Sequence, residues 1–67
     1  MFTHFKQRAK ERLNKEFTDY DCETIIHMIQ TNQAQVIKKP WFVLYYKGYI
    51  FKVCYKKGSL RTCLEVL

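Results

Sequence analysis

With two glycines and one proline in 67 residues, the chain has little with which to interrupt regular structure. Most of it is therefore expected in helices and strands. It also lacks any Cys-x-x-Cys pair. Cys22, Cys54 and Cys63 are odd in number, and neither His4 nor His27 stands at the close paired spacing that zinc sites use, so no metal or cofactor is expected. No run of eighteen apolar residues could span a bilayer, and no apolar N-terminal stretch signals export. The expectation is a cytoplasmic protein with reduced thiols and no membrane partner. Carboxylates are scarce too. Six Asp and Glu stand against twelve Lys and Arg, a net charge of +6. That balance favours an anionic partner, with nucleic acid first and an acidic protein or a membrane surface second; a basic surface serving solubility alone is the alternative.

What the chain does have is apolar and aromatic mass. Its hydrophobic fraction is 48%, with five Tyr, five Phe and one Trp, which excludes a disordered polypeptide. The length suits a single domain, residues 1–67, and a chain this short buries only about 60% of its unfolded surface, so its stability is expected to be marginal. No internal repeat, low-complexity tract or linker is present.

Two helices are expected first. Over residues 2–15, Phe2, Phe5, Ala9 and Leu13 recur at helical spacing, and Glu11 and Glu16 are placed to pair with basic neighbours. Asn14-Lys15-Glu16-Phe17 reads as a break. Thr18-Asp19-Tyr20-Asp21 matches the pattern of a helix start, and acidic residues near that end suit the helix dipole, so a second helix is placed at roughly 19–30 with Cys22, Ile25, Ile26 and Ile29 inward. His27 and Met28 read as a rim residue and a packing residue. From residue 34 the period becomes two. Strands are expected at Ala34–Lys38, Trp41–Tyr46, Tyr49–Tyr55 and Leu60–Val66, with Lys47-Gly48 and Lys56-Lys57-Gly58-Ser59 as hairpin turns and Pro40 at an edge or turn. Alternation places Tyr49, Phe51, Val53 and Tyr55 on one face, and Leu60, Thr62, Leu64 and Val66 together on one face of the last strand. The expected fold is α+β: two N-terminal helices packed on a three- to four-stranded antiparallel meander.

His4, Arg8 and Arg12 follow one another at i, i+4 and i+8, and on a helix they form a single row at the border of the apolar stripe. Imidazole titrates near neutral pH and can move the proton of a 2′-hydroxyl or a leaving oxygen; guanidinium groups stabilise charge on a phosphorane. Thr62 and Tyr45, Tyr46, Tyr49 and Tyr55 supply hydroxyls. A solvated helix face carries the same spacing, and that reading stays open. Lys6, Lys10, Lys47, Lys52, Lys56 and Lys57, with Tyr46 among the sheet aromatics, are candidate nucleic-acid contacts, because exposed rings stack bases while cations neutralise phosphates. A sheet whose aromatics are half core and half cover is the alternative, and protein recognition through Tyr, Trp and Arg is a third.

The parts come in a recognisable order, though each motif is short: a His-x3-Arg-x3-Arg helix, a second helix containing Ile25-Ile26-x-x-Ile29, a hairpin, and a last strand with Leu60-Arg61-Thr62. This resembles small domains of unknown function related to the RelE-like toxins, within the barnase–EndoU–colicin–RelE group of metal-independent ribonucleases. The resemblance covers nearly the whole chain. It implies an RNA-binding protein with metal-independent, toxin-type endoribonuclease activity, with His4 as acid–base, Arg8 and Arg12 as phosphate clamps and Thr62 positioning the substrate. A protein inhibitor or host target protein is a further implied partner. The alternative is a non-catalytic module, of the kind phages or plasmids carry, that binds and inhibits a host protein or nucleic acid.

Overall fold

The structure, a computed structural model, describes residues 2–66. Two helices, α1 (Thr3–Leu13) and α2 (Asp19–Gln30), precede four strands, β1 (Gln35–Lys38), β2 (Trp41–Tyr46), β3 (Tyr49–Lys56) and β4 (Ser59–Glu65). The strands form one antiparallel sheet in the order β1-β2-β3-β4. The α+β architecture with N-terminal helices is the one expected from the periodicities.

Local chemistry explains the boundaries. Asn14 ends α1 in a left-handed conformation (φ 55°) that asparagine tolerates, and Lys15 donates its N–H back to the Ala9 carbonyl at 3.3 Å. Helix α2 opens on a complete capping box. Asp21 N–H donates to Thr18 Oγ1 (3.1 Å), and Thr18 N–H donates to Asp21 Oδ2 (2.9 Å). Both hairpins use two-residue turns with positive φ at each position: Lys47 and Gly48 at 52° and 80°, Lys57 and Gly58 at 53° and 76°. That is the turn geometry whose twist matches the strands it joins. The Lys39–Pro40 peptide is cis, and Pro40 accepts a hydrogen bond from Tyr55 N–H at 2.9 Å, tying the β1–β2 turn to β3.

Both helices lie on one face of the sheet. Phe5, Ala9 and Leu13 of α1 and Cys22, Ile25 and Ile29 of α2 meet Leu44, Phe51, Val53, Leu60 and Cys63 in a single buried cluster, and α1 runs along the edge strand β4. Phe17, in the connection between the helices, stacks on Phe5 and tilts against Phe51, filling the corner that the break leaves open. The inward set of β3 is the one that alternation indicates. The set for β4 is corrected. Cys54 pairs with Thr62 but Tyr55 pairs with Leu60, so Arg61 is an extra residue in the ladder. This bulge moves Leu60 and Cys63 inward together, while Thr62 and Leu64 pair with Cys54 and Lys52 on the far side. One inserted residue reverses the alternation, and no local pattern announced it.

Candidate nucleic-acid interface

The His4–Arg8–Arg12 row lies on one helix, but its members meet different neighbours. Arg12 reaches β4, where Nη1 donates to Thr62 Oγ1 at 3.0 Å; it also borders Lys52, Leu64 and the carboxylate Glu65. Arg8 turns back along α1 to Glu11, Nη1 to Oε1 at 2.9 Å. His4 is exposed at the start of α1, beside Phe2, Ile26, Ser59 and Leu60 near the β3–β4 turn. Eight residues of helix separate His4 from Arg12, about 12 Å along the axis. The fold thus joins Arg12 to Thr62 and leaves His4 two turns away from them.

The remaining candidates divide by their partners. Lys6 pairs with Asp19 at 2.5 Å, Lys10 with Glu16 at 3.0 Å and Lys47 with Asp21 at 2.9 Å. Lys52, Lys56 and Lys57 take part in no ion pair among the described residues. Tyr46 is committed to structure: its hydroxyl donates to Asp21 Oδ1. Asp21 is 2% exposed and is the buried charge that joins α2 to the β2–β3 turn. Burial by itself would raise its pKa, but the Thr18 amide, the Tyr46 hydroxyl and the Lys47 ammonium together hold it well below the usual carboxylate range. Burial, followed by the facing Asp21 carboxylate, pushes the Tyr46 hydroxyl up to about 12. Cys22 and Cys63 are free thiols that burial raises to about 11, too high for a ready nucleophile.

The surface that the helices leave open is aromatic and cationic. Strand register sets Trp41, Val43 and Tyr45 of β2 opposite Cys54, Lys52 and Ile50 of β3, and these continue to Thr62 and Leu64 of β4. Tyr45 is 66% exposed and Ile50 50%. Arg12 reaches this face at its β4 edge through the bond to Thr62. The register places Lys52 within the face, and Lys38 of β1 opposite Trp41 at its end.

Charge is distributed unevenly along the strands. All six acidic residues fall at 11–23 and at 65, and none occurs between Glu23 and Glu65. Antiparallel pairing puts the β1–β2 and β3–β4 turns at the same end of the sheet, so Lys38, Lys39, Lys56 and Lys57 gather there. Asp21 and Glu65 lie toward the other end, bonded to Tyr46 and Tyr49 beside the β2–β3 turn.

Trp41 and Tyr45 stood in the sequence only within the general run of sheet aromatics that could stack bases, without being singled out, and Lys39 was not selected. Every residue of Trp41–Tyr46 is apolar or aromatic, so alternation could not tell its outward side from its inward one. Only pairing with the amphipathic β3 resolves it. Among the described residues no helix is long and apolar enough to cross a membrane, and no group of three His, Cys, Asp or Glu side chains could hold a metal ion. Neither protein-family models, nor curated proteins, nor solved structures give a match to this chain.

Proposed function

We propose that this protein binds single-stranded RNA across the open sheet face. The observation that carries this reading is that face itself: Trp41 and Tyr45 lie on the uncovered side with Lys52, in a stretch of chain free of carboxylates from Glu23 to Glu65. Flat rings receive unpaired bases whatever their sequence, at about 1–3 kcal/mol per stacked base. Arg12 and Lys52 neutralise the phosphates beside them. A duplex presents no free base faces to such rings.

The reading is one of binding rather than cleavage. The proton-moving group is His4, and it lies about two helical turns from the Arg12–Thr62 pair, with Arg8 engaged by Glu11 between them.

Trp41 is the single tryptophan, so its fluorescence reports this face alone. Titration with a single-stranded oligouridylate of about twelve nucleotides is expected to quench Trp41 and to raise the anisotropy of a labelled strand. Tyr45→Ala should weaken binding about tenfold, and Trp41→Ala, followed by anisotropy, by at least as much. RNA should be recovered at full length in the presence of EDTA. An absence of binding, or binding without quenching and indifferent to both substitutions, overturns the proposal; degradation that His4→Ala abolishes restores the toxin-type reading.

A further inference from the structure

At the basic end of the sheet, the β1–β2 turn and the β3–β4 turn flank a cleft of roughly 470 Å³ lined by Lys39, Pro40, Phe42, Tyr55, Lys56 and Lys57. We infer that this cleft is a phosphomonoester site, and that it holds the terminal phosphate of an RNA strand whose bases lie on the open face. The inference rests on the RNA-binding reading and adds a polarity to it.

Three observations support it. First, the charge is uncompensated. Lys39, Lys56 and Lys57 converge from two separate turns, and none of them takes part in an ion pair among the described residues. Three ammonium groups suit a terminal phosphate, which carries close to two negative charges at neutral pH, better than an internal diester with one. Second, the turns are fixed rather than loose. Pro40 accepts the Tyr55 N–H, and the Lys57-Gly58 turn closes the β3–β4 hairpin. The spacing between the lysine backbones is therefore set by the sheet. Third, the lining is amphipathic. Phe42 and Tyr55 meet edge to face at 6.3 Å, and Gln30 at the end of α2 donates to the Tyr55 hydroxyl at 3.2 Å, holding that ring in place. A ribose or terminal base can lie on these rings while the phosphate meets the ammonium groups.

Continuity with the open face puts the cleft within reach of a strand end. Trp41 faces the open side, and its neighbours Pro40 and Phe42 line the cleft on the helix side. A strand stacked on Trp41 that curls over the end of the sheet brings its terminus into the cleft.

The test compares one oligouridylate with a 5′-phosphate, a 3′-phosphate or hydroxyls at both ends, using anisotropy. A phosphate at one end should tighten binding by about tenfold, in keeping with a few exposed charge pairs. The triple variant Lys39→Gln, Lys56→Gln, Lys57→Asn should lose this gain yet still bind the hydroxyl-ended strand; asparagine is chosen because it tolerates the left-handed backbone of residue 57. Trp41→Ala should weaken all strands and keep the ratio. Amide resonances of Lys39, Lys56 and Lys57 followed during titration with uridine 5′-monophosphate separate the two readings. If no oligonucleotide binds but these resonances move, the cleft takes a free nucleotide and only the RNA proposal fails. Equal affinity for phosphorylated and hydroxyl-ended strands, with the resonances unmoved by the nucleotide, overturns the site.

Discussion

Asp21 shows how one residue can fix several others. It completes the α2 cap, receives the Tyr46 hydroxyl and anchors Lys47 in the β2–β3 turn. Asp21→Ala should destabilise the fold by about 2–3 kcal/mol, since it leaves both the Thr18 N–H of the capping box and the half-buried Tyr46 hydroxyl without their acceptor. Urea unfolding monitored by circular dichroism measures this. The carboxyl titrates lower in the folded chain than in the unfolded one, so its contribution is complete above the unfolded pKa near 4 and fades as the pH drops below it. Wild-type stability should therefore fall between about pH 5 and pH 2, and Asp21→Asn should flatten that slope. The cap was legible in Thr18-Asp19-Tyr20-Asp21. The bonds to Tyr46 and Lys47 were not, because contacts across 25 residues leave no trace in local spacing.

Among the elements, β4 is the one whose path departs from its pattern. Arg61 occupies the bulge and is itself exposed, so Arg61→Ala should shift stability by no more than about 0.5 kcal/mol. Deleting residue 61 removes the bulge itself: Leu60 and Cys63 then stand two positions apart, and a regular ladder keeps both inward opposite Tyr55 and Val53. A thermal midpoint changed little by either the deletion or the alanine variant is the expected pair of results. The two helices, the four strands and both turns were readable because their signals are local: stripes at 3.6 residues, alternation at two, and glycine after lysine in each hairpin. The faces of β2 and β4 were not, since one strand is apolar on both sides and the other carries an insertion that only its partner strand reveals.

For the molecule as a whole, the separation of acids from bases should govern binding. If Arg12 and Lys52 each meet an internal phosphate and Lys39, Lys56 and Lys57 together meet the terminal one, about three phosphates are neutralised, and the logarithm of the association constant should fall with the logarithm of salt at a slope near about −2. Anisotropy titrations at several potassium chloride concentrations measure the slope. A slope near zero removes the electrostatic role assigned to these residues. The net charge of +6 was visible in the composition, but its distribution was not: four lysines meet at one end only because an antiparallel meander returns alternate turns to the same side.

Asp21 and Glu65 near one end of the strands are balanced there by Lys47 and Lys15, whereas Lys38, Lys39, Lys56 and Lys57 at the other end are not, and this also gives the molecule a permanent electric moment directed along the sheet. In the field of a polyanion this moment exerts a torque, so the protein rotates during approach and arrives with its lysine turns leading. Orientation before contact raises the association rate more than it slows dissociation. Reversing two of the turn lysines to glutamate should therefore reduce the rate of encounter more than the lifetime of the complex once formed.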